Sequence, residues 1–594
     1  MKTSDIIPLE TSKTLDGLFR ERVRRSPEKI AYQQYRQNDD SWYGVTWAEL
    51  NEMVNQMRTA FTREELSPGD RVAVMLQNSI EWVVYDQAAL SLGLVVVPLF
   101  TNDRPDNIAY ILNDANAKLF FIHGQEHWDE LSAVHDQLLG LKRIVTLDPV
   151  TAEDDRVQHL QDWLPETWGE WAVYDMDAGR LASIVYTSGT TGKPKGVMLT
   201  HHNILWNAYI GIQSIMVYPD DIFLSFLPLS HMLERTVGYY LTMTAGAEVA
   251  FARSIPLLSE DLLTIKPTIL ISVPRIFERV YGKIKAQLEE KSPIARKLFM
   301  SAINVGWHRF ERQQGRRSWT PALLFWPVLK KLVAGKVLAK LGGRLRFSIC
   351  GGAALAPHIS QTFIGLGLPI AQGYGLTETS PILSVNTLES NDPASVGIPL
   401  NDVEARIGDN DELLVKSPGV MKGYWNNETA TSEVIDSAGW FHTGDKARIE
   451  GDHIYITGRI KEILVLANGE KLPPNDMETA ILDDALFEQC IVIGEGRPYL
   501  SAVVVLNQEL WPNFAAQHGV DENAVDDNAV KDACLQRIGQ KLSRFPGYAQ
   551  VRAITLLNDP WTVENEMLTP TLKTRRKIIH ARYQEQIESM YSGH

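Results

Sequence analysis

Cysteine is scarce in this chain: Cys350, Cys490 and Cys534 are all that 594 residues contain. Three scattered thiols exclude a disulfide framework and a cysteine-rich metal site, and a reducing cytoplasm is the simplest home. Long apolar runs are missing too. The longest, such as Ala88 to Phe100, fall short of the ~18 residues a spanning helix needs. No apolar stretch sits behind a basic flank in the opening MKTSDIIPLETSKTLDGLFRER, so the chain is expected to be soluble or at most peripheral to a membrane. Net positive charge is absent. A formal charge of -15 argues against nucleic acid as a partner, although a site for an anionic substrate must still be locally positive. No low-complexity segment and no short-period repeat occurs, which sets aside disordered and solenoid architectures.

What is present is an ordinary globular mixture, 44% apolar and 22% charged, long enough for about four domain-sized units. Short β-branched runs, RVAVML, LVVVPLF, KLFFIHG and KRIVTL, alternate with longer amphipathic stretches, the signature of an α/β fold. Residues 282–340 differ in texture: thirteen Lys and Arg face three Glu, mixed with Trp307, Trp319, Phe325 and Trp326. This stretch reads as a basic helical hairpin, either packing its aromatics on the main body or touching anionic lipid as a peripheral membrane contact. Near the C-terminus, HIYITGRIKEILVLANGEKLPP passes from strand to turn, and a smaller αβ pattern follows. The boundary is expected here, dividing a large domain, 1–459, from a small one, 460–594.

The strand Ser183–Tyr186 runs into Thr187-Ser188-Gly189-Thr190-Thr191-Gly192-Lys193-Pro194-Lys195-Gly196, with three glycines and four hydroxyls in ten residues. Glycines let backbone N–H groups turn inward, while hydroxyls and the two lysines add donors for a polyphosphate. The Walker pattern does not fit, because the glycine spacing is shorter and Pro194 follows Lys193. Taken alone, such a loop is as often a solvated turn.

The whole string YTSGTTGKPKG, however, resembles the nucleotide-phosphate signature of the adenylate-forming superfamily, and further resemblances follow it in order. His231, closing FLPLSH, resembles the residue placed at the acyl site; a satisfied core histidine is the plainer reading. Gly351, Gly352 and Ala353 resemble the adenine-side turn. In QGYGLTET, the resemblance implies that Tyr374 packs on adenine beside Gly375, Thr377 bonds the α-phosphate, and Glu378 holds magnesium with help from Thr187. Each role suits the group: an aromatic face for a purine, a hydroxyl for an oxyanion, a hard oxygen for a hard cation. Asp445, with Tyr455 and Arg459, resembles the ribose site, two acceptor oxygens for two vicinal hydroxyls. Lys461 matches the family's hinge and Gly469 the loop that swings in for thioester formation.

The remaining expectation is a lysine that reaches the reacting carboxylate. Leu572 stands where much of the superfamily has glycine, and LTPTLK resembles the long-chain fatty acyl-CoA synthetase branch, which assigns the role to Lys573, with Lys577 in reserve. The resemblance therefore implies an α/β fold, a large N-terminal domain of layered α/β subdomains with a smaller mobile C-terminal α+β domain. It implies ATP, Mg2+ and coenzyme A as cofactors and a long-chain fatty acid as substrate, activated as acyl-AMP and passed to CoA. Two alternatives stay open: transfer to a carrier protein, and a non-catalytic fatty-acid binding or uptake protein. The segment Thr236–Met243 reads as the lining of an apolar tunnel or as plain core.

Overall fold

The computed structural model describes residues 4–138, 140–169, 176–187, 193–569 and 572–592. The β-branched runs become Arg71–Met75, Val95–Pro98, Ala117–Ile122 and Arg143–Thr146, paired in parallel. Leu181–Thr187 joins them through Val96 opposite Ser183. These are the central strands of an eight-stranded sheet. Their unbroken apolar character is explained by burial on both faces, where no alternation is needed. A second sheet, of nine strands, has a parallel middle running from Ile370–Gly375 through Phe347–Cys350, Ile269–Ser272, Ile222–Ser225 and Glu248–Phe251 to Ile30–Arg36. Apolar residues of both sheets and of the helices between them share one core.

The helix Ile80–Ser91 lies in that core with every residue but Glu81 buried, its first turn capped by the Ser79 hydroxyl accepting from Trp82 N–H. A buried polar cluster pins it. Asp86 accepts from Arg235 at 2.5 Å, from Tyr240 at 2.6 Å and from Tyr239 at 3.0 Å, while Arg235 also donates to Ser183 at 2.8 Å. Arg235, Tyr239 and Tyr240 belong to a π-helix, Glu234–Tyr240. The wide turn spends its side chains on Asp86, so the aromatic part of Thr236–Met243 is core that joins helix to sheet.

A four-stranded sheet follows, Glu404–Ile407, Glu412–Lys416, Phe441–Glu450 and His453–Arg459. Beyond it, Phe487–Ile493, Leu500–Leu506 and Val551–Leu557 form a three-stranded sheet with its own two cores. Strand alternation divides them: Leu500, Ala502, Val504 and Leu506 face one layer, Val503 and Val505 the other.

The basic stretch is helical, as expected. Pro274–Glu289 and Pro293–Gln313 each start on proline, which donates nothing at a helix N-terminus where donors are surplus anyway. Gly306 lets the second helix press on the Gly365 backbone, where a Cβ would collide with the carbonyl oxygen. The stretch therefore docks on Pro357–Gly365, the helix that follows the Gly351–Ala353 turn.

Candidate active site

Asp445 is the best-anchored site residue. It lies within the strand Phe441–Glu450, in register with Arg459 across the sheet, and Arg459 Nε meets its Oδ1 at 2.9 Å. The Tyr374 hydroxyl donates to Oδ2 at 2.6 Å. Burial, then the Asp445 charge, hold the Tyr374 phenol well above its usual pKa, so it stays a donor. A carboxylate has about four lone-pair sites, and these two contacts use one on each oxygen.

Tyr374 and Glu378 are placed by one turn. The strand Ile370–Gly375 ends where a Cβ on Gly375 would strike the Pro381 carbonyl oxygen. Thr377–Thr379 then makes a 3-10 turn, closed by Thr379 Oγ1 donating to Pro381 O at 2.6 Å. Asn207 and Thr236 brace it from two helices, at 2.8 Å to Ile382 O and 2.9 Å to Ser380 O. Glu378 is left half-buried, its Oε1 accepting from the Tyr424 hydroxyl at 2.9 Å. The other face of that tyrosine carries a charge: Lys195 Nζ stands 4.9 Å from the ring centroid. Lys195 pairs with Thr187 at the ends of adjoining strands, and Lys193 Nζ sits 4.8 Å from the Tyr110 ring. Two lysines, a hydroxyl and a carboxylate are thus gathered near the ends of these strands; Ser188, Gly189, Thr190, Thr191 and Gly192, expected in the phosphate loop, lie outside the described residues.

Among the described residues, no three His, Cys, Asp or Glu side chains gather as a metal site. Glu378 and Thr187 nonetheless suit magnesium, which commonly takes one or two protein oxygens and completes its shell with water and substrate phosphate.

Lys573 enters from the small domain. It is open to solvent, yet enough protein surrounds it that desolvation, then the Arg459 guanidinium, push its ammonium below the usual lysine range; Asp445, Glu378 and Glu462 pull the other way. His231 is in the same neighbourhood. Burial, helped by the Lys573 charge, pushes its pKa down to about 4, so the ring is neutral at physiological pH. Leu233 N–H donates to its Nδ1 at 3.2 Å, which leaves the proton on Nε2.

Other expected residues stand apart from this group. The Tyr455 hydroxyl donates to Asp392 at 2.7 Å and its ring takes Arg448. Lys461 is exposed in the turn Ile460–Glu462, and Gly469 (φ +86°) occupies a hairpin turn in open space. Gly351 is buried behind the exposed Gly352 and Ala353, with Leu233 against it. Sequence reasoning missed Tyr424 and Glu462. Tyr424 stands between glycine and tryptophan in KGYWNN, a local signal with no hint of its partner 46 residues away.

The pattern described as "AMP-binding enzyme" matches residues 19–425, and "AMP-binding enzyme C-terminal domain" matches 461–594. This chain belongs to the AMP-binding enzyme family. Within it, the chain is similar to the long-chain-fatty-acid–CoA ligase FadD15 of Mycobacterium bovis, at 29% identity covering 96% of both chains. It is 27% identical to the chloroplastic long-chain-fatty-acid–acyl-carrier-protein ligase of Arabidopsis thaliana, covering 92% of this chain and 83% of that one. The fold matches the A domain of a carboxylic acid reductase from Segniliparus rugosus, solved with AMP and a co-purified carboxylic acid. The TM-score is 0.75 at 22% identity, over 99% of this chain and 97% of that one.

Proposed function

We propose that this protein activates a long-chain fatty acid with ATP and magnesium, releasing pyrophosphate and forming acyl-AMP, and then transfers the acyl group to coenzyme A with release of AMP. The observation that carries the reading is that Lys573 lies within the electrostatic reach of Arg459, Asp445, Glu378 and His231, with Arg459 and Asp445 in direct contact.

In the first step a carboxylate oxygen attacks the α-phosphorus, and the bond to the β-phosphate oxygen breaks. Bringing an anion to a polyanion is the main obstacle, at ~4 kcal/mol for two unit charges ~4 Å apart at an effective dielectric near 20. Lys573 neutralises the approaching carboxylate, and Lys193 and Lys195 with the Thr187–Gly192 loop hold the leaving pyrophosphate. Magnesium, bound through Glu378 and Thr187, would supply charge compensation on the phosphates. Thr377 donates to the α-phosphate, Asp445 accepts from the ribose hydroxyls with Arg459 and Tyr374 fixing its carboxylate, and Tyr374 with Gly351, Gly352 and Ala353 borders the adenine. Neutral His231 flanks the acid as a donor through Nε2.

In the second step the thiol attacks the acyl carbon and AMP leaves. Rotation of the small domain, 460–594, about Lys461 would withdraw Lys573 and bring the Gly469 turn to the thiol's path. We place the protein in the cytoplasm, with 282–340 as its contact with membrane lipid.

Labelled pyrophosphate exchange into ATP, run over acids from acetate to oleate, tests the activity, and affinity should rise with chain length because each buried methylene is worth ~0.8 kcal/mol. The Arabidopsis relative favours one second reading, transfer to a carrier protein; offering CoA and carrier protein in parallel separates the two. A fatty-acid binding protein without turnover would show no exchange with any acid.

A further inference from the structure

After the helix Pro293–Gln313 the chain makes a run of short helices, Pro321–Phe325, Trp326–Leu329, Lys330–Ala334 and Gly335–Ala339. Its inner side is fully accounted for: Trp326, Leu329 and Ala334 are buried, and Trp326 closes over Gly306. The outer side is apolar as well. Leu324 is 69% exposed, Phe325 64%, Val328 56% and Leu332 47%. Steps of three and four residues from Phe325 to Val328 to Leu332 put these side chains on one helical face. Clustered exposure of this kind is uncommon on a surface that meets only water.

The charge around that face has one sign. From Arg312 to Lys340 there are seven Lys and Arg and no Asp or Glu, in a chain whose total is -15. Lys330, Lys331 and Lys336 are exposed beside the apolar stripe, and exposed Trp319 precedes it. An apolar face bordered by lysines, with an aromatic at its edge, is the pattern of a helix lying in the plane of a membrane interface. Lysine stems can run along the apolar layer while their ammonium groups meet lipid phosphates. A second copy pairing through the same face would set these cations against each other.

We propose that the outer face of Leu324–Leu332, with Lys330, Lys331 and Lys336, docks on an anionic lipid bilayer. The docking deepens the long-chain reading, since such acids partition into bilayers and the run rests on helix Pro293–Gln313, itself seated on the helix after the Gly351–Ala353 turn. The binding itself is independent of catalysis.

The full chain is sedimented with phosphatidylcholine vesicles, with and without phosphatidylglycerol. It should pellet with the anionic vesicles and stay largely in solution with the neutral ones. Lys330→Glu with Lys331→Glu should weaken anionic binding by roughly fivefold or more for each lysine, and Leu324→Asp with Phe325→Asp should abolish it. All four positions are exposed, so melting temperature and pyrophosphate exchange on detergent-dispersed acid should match the parent. Those controls separate a failure of docking from a failure of the ligase reading. Absence of wild-type binding to anionic vesicles, or unchanged binding by the aspartate variant, overturns the proposal. So does concentration-dependent dimerisation that the same aspartates abolish while vesicle binding persists.

Discussion

Asp445 and Lys573 come to the same neighbourhood on opposite kinds of support. Asp445 is woven into the large body: its strand neighbour Arg459 and the Tyr374 hydroxyl hold both carboxylate oxygens, and its own N–H donates to Thr443 Oγ1 at 3.1 Å. Lys573 follows Leu572, a non-glycine residue at φ +59°, in a small loop closed mainly on Thr569. It reaches that neighbourhood because the small domain is latched to the large one, through Arg104 with Glu566 and through His358 Nε2 with Asp483 Oδ1 at 2.7 Å. In the proposed reaction, a group built into the body that would hold the nucleotide acts in both half-reactions. One carried on a second body can act in the first and leave before the other. The sharpest test is Lys573→Ala. Pyrophosphate exchange should fall by roughly two to three orders of magnitude, while thioester formation from supplied acyl-AMP stays within a few fold. Equal losses in the two assays would erase the distinction.

Asp445→Ala should show the contrary behaviour, lowering both half-reactions together and weakening the fold. Tyr374 and Arg459 each lose an acceptor, but Arg459 is 41% exposed, so the cost in urea denaturation should be roughly 2–3 kcal/mol rather than that of a fully buried pair. Loss confined to adenylation would place Asp445 on the departing side. The fixed body also contains a less settled group. Glu234 neighbours Arg235, yet Arg235 finds Asp86 while Glu234 Oε2 has no partner among the described residues. Burial pushes the Glu234 carboxyl up to about 8 from 4.5. With the folded value raised, the protonated form's stability is fully present below pH 4.5 and is lost as pH rises toward 8. Glu234→Gln removes that titration, so its stability relative to wild type should improve by roughly 1.4 kcal/mol per pH unit across this window. A difference independent of pH would mean that Glu234 is already ionised in the fold.

The α/β class and the candidate site segments were legible in the sequence because both are written locally. A buried parallel strand shows as an unbroken β-branched run, and the proposed phosphate loop shows as glycines and hydroxyls side by side. Asp445 and Arg459 were read together from the resemblance of their motifs, and the structure sets them opposite each other on consecutive antiparallel strands. Tyr424 with Glu378, Asp86 with Arg235, and Arg104 with Glu566 were not, since each joins segments far apart in the chain. Tyr455 shows the same limit: YITGR gave no hint that its hydroxyl finds Asp392, 63 residues upstream.

The latch itself carries the smallest expected effect and the finest test of the comparison. Burial alone would raise the Asp483 carboxyl, but His358 and Lys541 outweigh it and hold the group at about 2. Lys541 Nζ stands 2.6 Å from Asp483 Oδ2, so His358→Ala leaves Asp483 paired within its own domain while removing the link between the domains and the His358 ring's contact with Tyr281. Partly exposed ion pairs contribute about 0.2–1 kcal/mol, which caps the shift in domain orientation at about fivefold. Pyrophosphate exchange should slow by up to that factor and thioester formation should hold or quicken, because a loosened small domain leaves the first arrangement more readily. Glu566→Gln should act in the same direction, and raised salt should reproduce part of it in the wild type. If both half-reactions instead slow in step, the link stabilises the small domain without setting its orientation, and Lys573 must be delivered by other contacts.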